Sequence, residues 1–227
     1  MIKKVLIISI LAVASIATSI NDFIDTKQCD QIVDKQVFKV CYDYKIKGAR
    51  AVWYGLDGRL VNAVNIKKRP HFYSERTIPV RYRAKYKDYT HSGYDRGHMA
   101  NDADFDYDIK VLRKTYSMCN ITPQTPKLNR KTWIKAEKYE RSVAAKLGSA
   151  KVINLVFYPK NPKRIGKNRI AVPSGFLKVV YNNSTGLERC FWYDNRFDID
   201  VKTDRLKNHL VDCGRFNISQ SRSSLLP

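Results

Sequence analysis

The stretch Tyr116-Ser117-Met118-Cys119-Asn120-Ile121-Thr122, followed by Pro123-Gln124-Thr125-Pro126 and then by the run from Asn129 to Leu147, decides how this chain folds. The first seven residues are apolar-flanked and predict a short interior strand, and the two prolines stop it. The run from Asn129 carries a helical period and meets Gly148, a residue suited to closing a helix. Strand, loop and helix therefore follow in order. Upstream, Val37 to Tyr44 and Arg50 to Leu56 alternate in polarity and predict strands, the second ending at the turn signal Asp57-Gly58. Between them and the opening stretch, residues 67–94 are rich in Arg, Lys and Tyr, contain Pro70 and Pro79, and show no clean period, which predicts a long connection with active-site potential. Downstream, Lys151 to Tyr158, Arg169 to Val172, Phe176 to Tyr181 and Glu188 to Tyr193 predict strands, and Asp204 to Val211 a short helix. The class predicted is α+β with a mainly antiparallel sheet.

Composition narrows the partners. The 227 residues carry 42 Lys and Arg against 21 Asp and Glu, a formal charge of +21. No packing argument requires this, and it attracts polyanions: nucleic acid first, with anionic membrane surfaces, heparin-like sugars and simple solubility as alternatives. Met1-Ile2-Lys3-Lys4, the apolar run Val5 to Ile16, and the small residues Ala17 and Ser19 predict a secretory signal over residues 1–19. Removing it takes two lysines and no acids, leaving +19 on one domain over residues 20–227. The apolar run is short of the roughly 20 residues that span a bilayer, and no later segment is apolar enough. Export, to the medium or a periplasm, makes disulfides expected among the five cysteines. Of three possible pairings of four cysteines, the preferred one joins Cys29 to Cys41 and Cys190 to Cys213, with Cys119 free in the apolar-flanked run. No Cys-x-x-Cys or His-x-x-x-His spacing supports structural zinc.

At about 100° per residue, Asn129, Trp133, Ala136, Glu137, Glu140, Arg141, Val143, Ala144 and Leu147 share one sector of the predicted helix. Lys131, Lys135, Lys138 and Lys146 lie on the opposite, solvated side. Asn129, Glu137 and Arg141 thus face the protein, where polar groups need partners or a purpose. In a purely structural reading Asn129 is an N-cap and Glu137 pairs with Arg141. The second constellation is Gly93-Tyr94-Asp95-Arg96-Gly97-His98-Met99-Ala100, which sets one of only four histidines among residues suited to phosphate chemistry. Phosphodiester hydrolysis needs a base to activate the nucleophile and positive charge on the oxygens; His, a metal and Arg supply these.

Asp95-Arg96-Gly97-His98, then Asn120-Ile121-Thr122-Pro123-Gln124, then Leu128-Asn129 with Trp133, Glu137 and Arg141, resembles the DNA/RNA non-specific endonuclease family of the ββα-metal nucleases. Order and spacing match over residues 93–141, and weaker similarity runs from Arg69 to Phe216. The resemblance implies a ββα-metal active-site motif in which His98 is the general base. It implies Asn129 as the single direct protein ligand of a largely hydrated Mg²⁺, for which Mn²⁺ can substitute. Glu137 would orient water on the metal, Arg141 would contact the phosphate or its leaving side, and Asn120 would orient the His98 ring and so fix its tautomer. An upstream phosphate-binding arginine is implied too; Arg69 is the best match, with Arg81 and Arg83 as rivals. Arg96 and Asp95 match the motif and either touch substrate or brace the loop, and Gly97 lets the backbone turn and approach closely.

The mechanism so implied has Mg²⁺ between a non-bridging oxygen and the leaving 3′ oxygen while His98 deprotonates water on the opposite side, giving 5′-phosphate ends. The partners are DNA and RNA, held through phosphate contacts that carry no base information, with no stable membrane span after signal cleavage and nothing that specifies an oligomeric state. Tyr82, Tyr86, Tyr89 and Tyr94, interleaved with Arg81, Arg83, Lys85 and Lys87, either stack on bases or pack. Two rival readings use the same charge: a non-catalytic exported DNA-binding or adhesion protein, and a related nuclease specialised as a toxin or for RNA alone.

Overall fold

β1 (Gln31–Asp34), β2 (Phe38–Asp43) and β3 (Gly48–Asp57), the last two apolar and buried on both faces for much of their length, build an antiparallel meander at one side of the chain's main sheet. The computed structural model describes residues 17–216 and residue 218; apart from residues 17–19, the expected signal segment lies outside the described residues. After the meander comes the long connection, then β4 (Asp95–His98), α1 (Ile109–Thr115), β5 (Ile121–Gln124) and α2 (Trp133–Leu147). The second half adds β6 (Ser149–Phe157), the small hairpin of β7 (Arg164–Ile165) and β8 (Ile170–Ala171), β9 (Gly175–Asn182), β10 (Leu187–Asp194) and β11 (Leu210–Val211). Seven strands form one antiparallel sheet in the order β1-β2-β3-β6-β9-β10-β11, while β4 and β5 pair separately. The α+β class and the mainly antiparallel sheet expected from sequence are both observed.

One face of the sheet packs Tyr54, Val152, Phe176 and Val180 against Trp133, Ala136, Val143 and Ala144 of α2. The other presents Ala51, Ile153, Leu177 and Val179, covered by Phe23 and Ile20 from the N-terminal segment and by Phe216 from the C-terminal one. Disulfides join Cys29 to Cys41 and Cys190 to Cys213, with Cys119 free and buried, which is the preferred pairing. Both bridges fasten a terminal segment to this second face. A smaller core under the long connection gathers Ala84, Tyr89, Met118, Ile121, Ile165 and Ile170.

Three local expectations are corrected. The predicted strand Tyr116 to Thr122 is a 3-10 turn at Met118–Asn120 followed by β5, because the Asn120 amide bonds the backbone of Thr115 and Ala100 and curls the chain there. Cys119 is therefore buried on a turn. The predicted helix Asp204 to Val211 is a 3-10 turn at Leu206–His209 and then β11, since pairing of Val211 with Cys190 and the Cys213 bridge draw the chain onto the sheet edge. Leu147, placed on the buried helix face by periodicity, is 38% exposed in the last turn before Gly148. Among the described residues no helix is long and apolar enough to cross a membrane.

Candidate active site

The Asp95-Arg96-Gly97-His98 motif is a strand, paired antiparallel so that Gly97 opposes Thr122 and His98 opposes Ile121. Gly97 is needed for close approach rather than for a turn: a Cβ there would come within 2.1 Å of the Gln124 side chain. After β5 the chain enters a π-helical turn at Leu128–Thr132 and only then the regular helix α2. In that wide turn the Trp133 N–H reaches back to the Leu128 carbonyl. Asn129 is not an N-cap: its Nδ2 donates to Asp95 Oδ2 at 3.1 Å, and its Oδ1 accepts no hydrogen bond among the described residues. Arg130 grips the same carboxylate through Nε at 2.7 Å and Nη2 at 2.6 Å. Burial works against the charged Asp95, but Arg130 and Asn129 outweigh it and hold its pKa below the ordinary value. Asp95 is thus a brace joining the strand to the helix start.

The His98 ring lies between Phe72, with centroids 5.4 Å apart, and Tyr116, at 4.8 Å. Its Nε2 is buried without a hydrogen-bond partner among the described residues. Burial lowers its pKa, with Arg69 adding to the effect and Asp102 opposing it, which favours the neutral ring. Asn120 does not orient this ring. Its Oδ1 accepts from Ala100 N at 2.8 Å, and its Nδ2 donates to Ala100 O and Thr115 O, both at 2.9 Å. That occupies both amide N–H groups, and the aromatic neighbours hold the histidine instead.

Two arginines are anchored by aspartates of the segment that follows His98. Arg69 bonds Asp106 at 3.1 Å and lies 3.4 Å from Asp102, leaving its Nη1 buried and unpartnered. Of its rivals, Arg81 stacks on Tyr82 and Arg83 bonds the carbonyls of Ile78 and Arg76. Arg141 bonds Asp104 at 2.9 Å rather than pairing with Glu137. Arg96 makes no ion pair among the described residues; its guanidinium sits 3.7 Å from the Tyr86 ring centroid and donates to the Tyr86 carbonyl at 3.1 Å. Arg69, Phe72, Tyr86, Arg96 and Tyr116 line a cleft of about 570 Å³ beside His98.

Glu137, 8% exposed, accepts no hydrogen bond from a described residue. Burial pushes its pKa up to about 8, with Lys178 and Arg141 pulling it down and Glu140 and Asp102 pushing it further up. A carboxylate in this state gains from a nearby cation. The free Oδ1 of Asn129 and this unbonded carboxylate fit a hard, largely hydrated divalent ion. No group of three His, Cys, Asp or Glu among the described residues forms a protein cage for a metal, so a fully protein-ligated site does not fit.

Beneath the site runs a buried polar chain. Lys178 and Glu140, both fully buried, form an ion pair; Tyr54 OH donates to Glu140 at 2.9 Å; Asn154 Nδ2 donates to the Met99 carbonyl, next to His98, at 2.7 Å. The sequence reading missed Asp102, Asp104 and Asp106, which anchor Arg69 and Arg141. The visible signal was their alternation immediately after the motif in a chain poor in acids. Nothing local marks Phe72, Tyr116, Asn154 or Lys178, which come together only through the tertiary fold.

A family model described as DNA/RNA non-specific endonuclease matches residues 17–214. The chain is 30% identical over 166 residues to Endonuclease G, mitochondrial, of Homo sapiens, covering 69% of this chain and 56% of that protein. It is 29% identical over 161 residues to the mitochondrial nuclease of Saccharomyces cerevisiae, covering 65% and 49%. The chain therefore spans about half the length of these relatives. A solved EndoG/EndoGI complex superposes with a TM-score of 0.72 at 24% identity, over 87% of this chain and 85% of that one, a likeness of fold. With the strand motif, its paired strand and the following helix arranged as described and the family match spanning most of its length, this chain belongs to the DNA/RNA non-specific endonuclease family.

Proposed function

We propose that the chain is an exported Mg²⁺-dependent endonuclease, formed by one domain over residues 20–227, that hydrolyses DNA and RNA phosphodiester bonds without regard to sequence and leaves 5′-phosphate ends. The observation that supports this is the motif strand itself: His98 on it has a nitrogen without a partner among the described residues, Asp95 on it holds Asn129 with the carbonyl oxygen left open, and the aspartates that follow it anchor Arg69 and Arg141. His98 takes the proton of the attacking water. Asn129 Oδ1 would hold the ion, and Glu137 would accept hydrogen bonds from water beside it. Arg69 and Arg141, fixed by carboxylates, meet the phosphate without first having to order their side chains. Bound Mg²⁺, or Mn²⁺ in its place, supplies positive charge to the phosphate and the leaving 3′ oxygen. Backbone contacts of this kind position either polymer and read no sequence.

The deciding experiment incubates purified protein with supercoiled plasmid, single-stranded DNA and RNA, with Mg²⁺ or with EDTA. Cleavage of all three with Mg²⁺ and none with EDTA is expected. Binding without nicking in any divalent metal would leave a DNA-binding protein, and cleavage of RNA alone would leave a specialised ribonuclease.

Export is supported by the apolar N-terminal run and by two disulfides, which persist in oxidising compartments. The relatives named above are mitochondrial. N-terminal sequencing of protein recovered from medium or periplasm is expected to begin at Ile20; recovery of full-length chain inside the cell overturns this.

A further inference from the structure

The four tyrosines ahead of His98 look equivalent in sequence, and the fold separates them. Tyr82 stacks on Tyr44 at 4.3 Å with planes 4° apart. Tyr89 is 3% exposed, and Tyr94 packs on Phe197. Tyr86 remains 49% exposed in the lining of the cleft beside His98. Its ring centroid lies 6.1 Å from that of Phe72, which in turn lies 5.4 Å from His98. Aromatic surface therefore runs from His98 out to Tyr86.

A site for phosphate alone requires donors and positive charge, and of Tyr86 it would use the hydroxyl but not the exposed ring face. A nucleobase does gain, because every base has a π-face that stacks on an aromatic side chain. Arg96 strengthens the case. It lies against Tyr86 in the lining of the same cleft and forms no ion pair among the described residues, so its guanidinium brings positive charge to a polyanion entering the cleft. At about 570 Å³ the cleft is also far larger than a phosphate needs.

We propose that this cleft holds the base of a nucleotide adjoining the attacked phosphate, stacked against Tyr86. Single-stranded or locally melted polynucleotide is then a better substrate than duplex, whose bases must first be unstacked. The proposal rests on the nuclease reading above.

The test measures KM and kcat on a short single-stranded DNA and on its duplex. Tyr86→Ala is expected to raise KM on the single strand by about 5- to 150-fold, the range that one base–aromatic stack represents, while kcat moves little. Tyr86→Phe keeps the ring and is expected to keep the wild-type KM. An abasic residue scanned along the strand should raise the wild-type KM at one position beside the cut and add nothing further in Tyr86→Ala. A single-strand KM for Tyr86→Ala within roughly twofold of wild type, or an abasic loss that adds in full, overturns the subsite. If the wild type cleaves nothing, the nuclease reading fails by itself. Stacking is then read from quenching of a 2-aminopurine strand by His98→Ala protein: quenching lost on adding Tyr86→Ala upholds the subsite, and quenching unchanged rejects it.

Discussion

The two faces of the seven-stranded sheet bury similar apolar rows and are held in different ways. On the face toward α2, polar side chains interrupt the apolar rows: Lys178 stands between Phe176 and Val180, and Asn154 lies opposite it on β6. Glu140, Tyr54 and the Met99 carbonyl receive them. The far face has an apolar core, and its covering segments are fastened by two disulfides. Buried ions rarely add stability over a well-packed apolar alternative, so the polar face is costly as a scaffold. What it obtains is position, since the chain of bonds ends one residue from His98 and under Glu137. The stapled face carries no residue of the candidate site and needs only to stay closed.

The sharpest way to break this contrast is at the site itself. His98→Ala is expected to lower the cleavage rate by about 10²- to 10⁴-fold, the usual range for a lost general base, with oligonucleotide binding retained. In the wild type the acid limb of kcat/KM should fall below the ordinary histidine value of 6.5, because burial lowers the His98 pKa and only the neutral ring accepts a proton. A variant that cleaves like wild type removes His98 from the mechanism, and a limb above 6.5 contradicts its environment.

Next in size, Lys178→Met leaves Glu140 buried and unpaired and should cost about 3–5 kcal/mol in urea unfolding, with much of the loss recovered by adding Glu140→Leu. A recovered double variant that also keeps full activity would reduce the network to packing. A loss under about 1 kcal/mol would mean that the pair is not buried in solution.

The smallest effect falls on the other face. Replacing Cys190 and Cys213 together by Ala should cost about 2–4 kcal/mol, chiefly by freeing the unfolded chain, and leave kcat where it was. A drop in kcat larger than the stability loss explains would connect the stapled face to the site and end the contrast drawn above.

Where a residue's job depends on its neighbours in the chain, the sequence was legible. Short runs of β-branched and aromatic residues between turn signals marked the main strands, which the fold buries on both faces. The helical period placed Trp133, Ala136, Glu137, Glu140, Val143 and Ala144 inward, as observed. The resemblance carried by three ordered blocks brought His98, Asn129, Glu137, Arg141 and Arg69 into consideration together. Periodicity also put Asn129 toward the protein, where it bonds Asp95, but the π-helical turn that carries it left no compositional trace. Asn120 was misassigned because its amide can serve any neighbour, and only the packed turn decides which it serves.

By itself, then, the sequence determined the class of fold, the basic surface, the residue types of the site and their order along the chain. Which nitrogen of His98 is left buried and unpartnered, which acid holds which arginine, and which of four tyrosines stays open to solvent were decided by the tertiary structure. Each of these depends on contacts between segments far apart in the chain, from Asp104 to Arg141 and from Phe72 to His98. Such contacts are fixed by packing and burial, quantities that no local pattern encodes.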